Sequence, residues 1–289
     1  MTSSTQEVAV VTGAGAGLGR GIALELAARG TRVVVTDMDD SAGSSTVASI
    51  EAIGGEAVFV HVDAREPKDL QVALETAASR FGAVTVVVAN VNADGGGGRI
   101  WEHDLPKVRH LFDVLVYGTF VTVHASAPTL IESAAAGLPA RLLIVGSEHS
   151  LGVPPHAFAA SAYTTAKYAT LGVLDTARRD FEGTGVTTTL LAPSWVRTEK
   201  VRELVRSSHD LARSIEPHAQ NTDVVAKQAI DGLLAGDYIV ATNPVIRQFA
   251  LDHARGVMSA VQMLPVPTAE EHAHDGAGDA AKCPVIGHF

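Results

Sequence analysis

The sequence predicts an α/β fold, a doubly wound parallel sheet of seven strands with helices on both faces. Three observations carry that expectation. Short β-branched runs alternate with Ala-rich stretches from Val8 to Ala241. The runs are almost continuously apolar, the pattern of strands buried on both faces. Aromatic residues make up only 5% while Ala, Val and Gly abound, which favours close-packed helices on a Val-rich sheet over an all-β arrangement.

Each element follows from its own stretch. Residues 8–12 read as the first buried strand and 17–29 as the helix after it. Residues 32–37 form a second strand, 41–53 a helix and 57–62 a third strand. The stretch 67–81 opens on Pro67, a favoured first-turn residue, and reads as a helix. Residues 84–90 are the fourth strand, 106–136 a mostly helical stretch and 141–147 the fifth strand. Helix 161–181 leads to a sixth strand at 186–192, and 237–241 supplies the seventh. Right-handed crossovers between such strands give a Rossmann-type sheet.

At 289 residues and 46% hydrophobic content the chain can fill a sizeable core. No Pro- or Ser-rich linker divides it. Residues 1–264 therefore read as one domain with a polar, partly helical lid around 195–220, and 265–289 as a loosely ordered tail. A net charge of −10 argues against a nucleic-acid partner. The single cysteine, Cys283, allows neither a disulfide framework nor a thiolate zinc site. His272 and His274 on the tail are poorly preorganised for a metal, so none is expected. No apolar run reads as membrane-spanning, and nothing before the first strand resembles a targeting segment. A cytoplasmic protein without a membrane partner is the expectation.

Two constellations carry chemistry. After the first strand comes Thr12-Gly13-Ala14-Gly15-Ala16-Gly17-Leu18-Gly19. Its glycines let the backbone turn tightly and approach a pyrophosphate at the N-terminus of the next helix. Asp37 ends the second strand, where an acid accepts from both ribose hydroxyls of an adenosine and repels a 2′-phosphate. No basic residue lies within the loop, and Arg20 follows it, so NAD is favoured over NADP. Asp63, after the third strand, is placed to touch the adenine. The glycine run 94–98 is a loop past the fourth strand, where open sheets bind ligands. The second constellation is Tyr163-Thr-Thr-Ala-Lys167, a phenol and a cation on one helix face. A phenol ordinarily titrates near pH 10, so base work near neutrality needs a shift of roughly 2–3 units from nearby positive charge.

Together these pieces resemble the short-chain dehydrogenase/reductase family over about residues 7–245. The family's Thr-Gly-x-x-x-Gly-x-Gly matches Thr12, Gly13, Gly17 and Gly19, and its Tyr-x-x-x-Lys matches Tyr163 and Lys167. The resemblance implies hydride transfer between a nicotinamide and a carbinol carbon. Tyr163 would be the acid/base, Lys167 would lower its pKa and hold the nicotinamide ribose, and a serine would bind the substrate oxygen. Two serines compete. Ser150 lies thirteen residues before the tyrosine, the usual family spacing, while Ser147 ends the apolar run of the fifth strand; strand position favours Ser147, and Ser150 with His149 would then line the pocket. Asn90, Pro193, Val196 and Thr198 match cofactor-contacting positions, beside the loop residues Gly15, Ala16 and Leu18. Family members pair their two long helices into homodimers or homotetramers.

The chain departs from the pattern at three places. Leu115 stands where the family has an asparagine that kinks the long helix and holds a relay water, and leucine is expected to do neither. Asn92 replaces a glycine and Ser194 follows Pro193 where the family has Pro-Gly. These departures leave a second reading open, a catalytically weakened NAD-binding sensor or structural subunit. A sugar-nucleotide epimerase or dehydratase also uses Tyr-x-x-x-Lys, but the glycine spacing argues against it. Phe158, Trp195, His149, His156 and Val153 as pocket candidates point to a bulky or aromatic secondary alcohol or its ketone.

Overall fold

A computed structural model describes residues 6–93 and 97–265. Its strands are β1 (Val8–Val11), β2 (Arg32–Asp37), β3 (Ala57–His61), β4 (Val86–Ala89), β5 (Arg141–Val145), β6 (Thr187–Ala192) and β7 (Ile239–Ala241). They form one seven-stranded sheet in the order β3-β2-β1-β4-β5-β6-β7, and every neighbouring pair is parallel. Alternate residues of each strand face opposite layers. Val10, Val34, Val87 and Leu142 pack with Leu70, Leu130 and Leu174 on one side. Val11, Val33, Val88 and Leu143 pack with Ile22, Leu26, Ile50 and Ile230 on the other. Two buried faces explain why the strands are apolar at every position rather than at every second one.

The helices are α1 (Gly17–Ala28), α2 (Asp40–Ala52), α3 (Pro67–Phe81), α4 (Leu105–Phe112), α5 (Gly118–Ala135), α6 (Ser161–Asp180), α7 (Glu199–Ser207), α8 (His209–Ile215), α9 (Thr222–Ala235) and α10 (Ile246–Gln262). Local chemistry sets several starts. Asp39 caps α2 by accepting from Ala42 N at 3.0 Å, Pro67 opens α3, and Thr198 and Ser208 cap α7 and α8. The expected strands at 8–12, 57–62, 84–90 and 141–147 overrun the observed ones, because their last residues leave the ladder to build the loops of the site.

Four features refine or depart from the sequence expectations. The segment 195–220 holds two distinct helices, α7 and α8, with a 3₁₀ turn at Glu216–His218. Helices α9 and α10 were not anticipated. In α9, Gly232 obscures the pattern, and it is needed there because a Cβ would stand 2.1 Å from Val240 Cγ2. The stretch Leu105–Ala135 is long and apolar enough to cross a membrane by length and composition alone, contrary to the reading above; Val121 and Leu130 within it pack into the core. The chain also divides into two compact units, the first ending at Ala250 and the second running from Leu251 to Phe289. Residues 94–96 of the glycine run and nearly all of the tail, including His272, His274 and Cys283, lie outside the described residues.

Between α4 and α5 the backbone forms a π-helical turn, Asp113–Tyr117, with Leu115 at its centre. Leucine therefore does not prevent a distortion of the long helix at this point. Gly118 N reaches back five residues to Asp113 O, and the Thr119 hydroxyl donates to Leu115 O at 2.7 Å.

Candidate active site

The strand order reverses between β1 and β4, and a cavity of about 640 Å³ opens beyond the carboxyl ends of the strands there. At one end lies the glycine loop. Gly13 has φ +59°, and a Cβ on it would stand 2.2 Å from Asn90 O. Asn90 braces this close approach, its Nδ2 donating to Thr12 O and Gly13 O at 3.1 Å each. Ala16, the residue before α1, makes no side-chain cap, so the first-turn N–H groups of α1 lack intrahelical acceptors. Ala16, Gly17, Leu18 and Gly19 all line the cavity. An uncapped helix end facing a cavity fits a pyrophosphate. Asp37 Oδ2 accepts from Gly15 N at 2.8 Å and Oδ1 from Asp39 N at 3.0 Å. The loop thus holds the carboxylate at the cavity edge with acceptor capacity left over. Arg20 is turned away, donating to Ser49 Oγ at 3.0 Å. Asp63 lines the cavity too, paired with Arg65, whose hydrogen bonds hold its carboxyl below the usual range.

At the other end, α6 presents Tyr163 and Lys167 toward the end of β5. Tyr163 and Ser147 line the cavity together. Burial pushes the phenol pKa up, the nearby Ser147 hydroxyl opposes that, and the Glu148 charge adds to the rise. Lys167 is 3% exposed. Its Nζ donates to Val145 O at 2.9 Å and lies 5.8 Å from the Tyr163 ring centroid. Burial brings its pKa down to about 8, which leaves most of it charged at neutral pH. His149 meets Tyr163 edge-to-face at 5.2 Å, its Nδ1 2.8 Å from Thr164 Oγ1. Burial brings this imidazole down to about 4, so it is neutral at pH 7. Phe158 and Trp195, with ring centroids 5.7 Å apart, form an aromatic wall.

Comparison with known proteins decides the lineage. A family model described as short chain dehydrogenase matches residues 7–208. The chain belongs to the short-chain dehydrogenase family. Among its relatives, 1-deoxy-11-beta-hydroxypentalenate dehydrogenase of Streptomyces exfoliatus is 32% identical over 197 residues, covering 68% of this chain and 70% of that protein. Cyclohexanol dehydrogenase of Acinetobacter sp. (strain SE19) is 27% identical over 215 residues, 73% of this chain and 83% of that one. A solved short chain dehydrogenase/reductase from Burkholderia phymatum, in complex with NAD, superposes with a TM-score of 0.77 at 25% identity, covering 93% of this chain and 99% of that one.

Within this short-chain dehydrogenase, most residues singled out from sequence line one cavity. They include Gly13, Asn90, Pro193, Val196 and Thr198 at the cofactor end, and Ser147, His149, Phe158, Tyr163, Lys167 and Trp195 at the other. Two do not. Gly15 turns its N–H to Asp37 and stays off the wall. Ser150 is fully buried behind the serine loop, where its Oγ accepts from Ser147 N at 3.2 Å. Of the two serines, Ser147 shares the cavity lining with Tyr163 and Ser150 does not. Val153 and His156 also stand outside the cavity lining. Sequence reasoning missed Glu148. An acid directly after the strand-end serine, at the close of the apolar run 142–145, was the available signal.

Proposed function

We propose that this short-chain dehydrogenase interconverts a bulky or aromatic secondary alcohol and its ketone by hydride transfer to or from NAD. The observation that carries the reading is that Ser147, Tyr163 and buried Lys167 line the same cavity as an uncapped helix end and Asp37. When bound, the nicotinamide supplies the carbon that accepts or gives the hydride and, oxidised, a positive charge near the phenol.

The chain's own groups do the rest. Gly13, the α1 N-terminus and Asp37 hold the dinucleotide, and Asp37 excludes a 2′-phosphate by charge. Ser147 Oγ–H binds the substrate oxygen and stabilises charge that develops on it. Tyr163 moves the proton. In reduction it is the acid, and the raised pKa of the ligand-free site suits that role. In oxidation it is the base, which requires the positive charges of Lys167 and the oxidised cofactor to bring the phenol down. Phe158 and Trp195 give an apolar wall for a ring-bearing substrate; the names of the hydroxypentalenate and cyclohexanol dehydrogenases point the same way.

The test is NADH-linked turnover of a panel of cyclic and aromatic ketones, run on wild type and Tyr163→Phe. We expect turnover in wild type and a loss of roughly 10²–10⁴-fold in the variant, with NADH still bound. Binding of NADH without turnover of any ketone or alcohol in the panel would replace this reading with the sensor or structural subunit.

A further inference from the structure

Hydride transfer as described leaves one buried acid without a task. Glu148 follows Ser147 and is 2% exposed. Its main-chain N–H donates to Pro193 O at 2.8 Å, and Ser194 Oγ donates to its Oε1 at 2.8 Å. His156 Nε2 lies 3.2 Å from the same oxygen. Its Oε2 is also 3.2 Å from that nitrogen, but without hydrogen-bond geometry. His156 in turn reaches the lid. Its ring stands 4.6 Å from that of His218, and its carbonyl accepts from Ser214 Oγ at 3.4 Å.

Ser194 immediately precedes the lid, while Ser214 and His218 lie near its far end. The two roots are stitched together, Gln220 N to Trp195 O at 2.9 Å and Arg197 N to Gln220 O at 2.8 Å. Between the roots the lid has little apolar anchorage: α7 buries no residue and α8 buries only Ile215. Segments with few buried apolar contacts open at low free energy, so polar fastenings weigh heavily.

We propose that Glu148 is a positioning residue whose carboxyl group, through Ser194 and His156, latches the lid 195–218 over the cavity and releases it on ionising. A proton on Oε1 lets the acid donate to His156 Nε2 while a lone pair of the same oxygen accepts from Ser194. Loss of that proton leaves a carboxylate almost without water, which lid opening would hydrate. Burial already pushes the carboxyl group up to about 7, opposed by the Ser194 bond and by a charged His218. Tyr163 faces it from α6, and its proton is held more firmly when Glu148 is charged. His149, beside it in sequence, is neutral at this pH, and Lys167 is bound to Val145 O. Glu199 and Lys200 of α7 stand on the wall of the same cavity. The functional importance of the latch rests on reading this cavity as the substrate site, but its test does not.

The test is hydrogen exchange of ligand-free protein by mass spectrometry, reading peptides of α7 and α8 and correcting for the intrinsic pH dependence of exchange. If opening returns Glu148 from about 7 to its ordinary 4.5, the open fraction rises about tenfold between pH 6 and 8.5. Glu148→Gln, which keeps the shape and cannot ionise, should stay closed across that range, and Glu148→Ala should be open throughout. If Glu148→Gln does not fold, His156→Gln cuts the bridge with Glu148 in place, and its lid must exchange faster than wild type at pH 6. Flat corrected exchange in wild type overturns the proposal. So does a rise that survives in Glu148→Gln, which would assign it to His156 and His218. No substrate or cofactor enters this measurement, so absence of turnover and failure of the latch are separately observed.

Discussion

Glu148 should make the protein less stable as pH rises. The perturbation is a change from pH 5 to 8.5, compared between wild type and Glu148→Gln. The folded chain raises this carboxyl group from 4.5 to about 7, so the native state binds the proton more tightly than the unfolded chain. The stabilisation is complete below pH 4.5, is lost as pH rises toward 7, and changes little beyond that. At about 1.36 kcal/mol per unit the full effect is about 3 kcal/mol, of which about 2.5 kcal/mol falls between pH 5 and 8.5. Other groups act with opposite sign. His149, lowered to about 4, adds stability as pH rises through 4 to 6.5, and Lys167, lowered to about 8, adds it from pH 8 upward. The wild-type curve alone therefore mixes several titrations, and the difference between the two proteins isolates one. Urea denaturation followed by circular dichroism at constant ionic strength gives that difference at each pH. Glu148→Gln should gain on wild type by about 2.5 kcal/mol across the range. A constant offset between the two curves would refute the reasoning, because a buried ionisable acid cannot produce one.

Two further outcomes follow from the site. Asp37→Ala removes the acceptor expected to meet the adenosine ribose and the charge that repels a 2′-phosphate; the ratio of kcat/KM for NAD over NADP should fall by about tenfold or more, on the scale of a hydrogen bond to a charged group, and an unchanged ratio would remove Asp37 from cofactor selection. Ser147→Ala should lower kcat by about 10²-fold with the fold intact, whereas Ser150→Ala should cost about 1 kcal/mol of stability, the worth of a buried hydrogen bond, and leave kcat within a few-fold; the reverse pattern would exchange their roles.

The sheet was legible because burial on both faces writes itself into every strand residue. Val33, Val34 and Val35 alternate between two cores, and each side demands an apolar side chain. The glycine loop was legible for a different reason, since Gly13 and Gly19 occupy places where a Cβ would overlap backbone. Ser147 and Ser150 drew conflicting signals from sequence, spacing pointing to Ser150 and strand position favouring Ser147. Spacing measures chain length, whereas the choice depends on which hydroxyl the turn after β5 aims at Tyr163, and that turn inserts Glu148–Ser150 as a 3₁₀ segment. The Glu148–His156–His218 group was equally hidden. Its members are 8 and 62 residues apart in sequence and meet only when the lid returns from the sixth strand to the serine loop.

Leu115 shows how one family feature can separate into two tasks. An asparagine at this position is expected to bend the long helix and to hold a relay water. Here a π turn distorts the helix without it. Leu115 is fully buried against Leu111, Ala162 and Ala166, so its side chain anchors the π turn to α6 by packing alone. The backbone that the wider turn loosens is satisfied locally, with Asp113 O bonded by Gly118 N and Leu115 O by the Thr119 hydroxyl. Side-chain packing and a local hydroxyl thus suffice for the shape that holds α6, and with it Tyr163 and Lys167, in place against β5. The polar task is different. An apolar side chain offers a water no partner, so nothing from Leu115 can hold a proton relay. The placement of Tyr163 and Lys167 therefore does not need an asparagine at 115, while the proton path of the proposed mechanism must run through other groups.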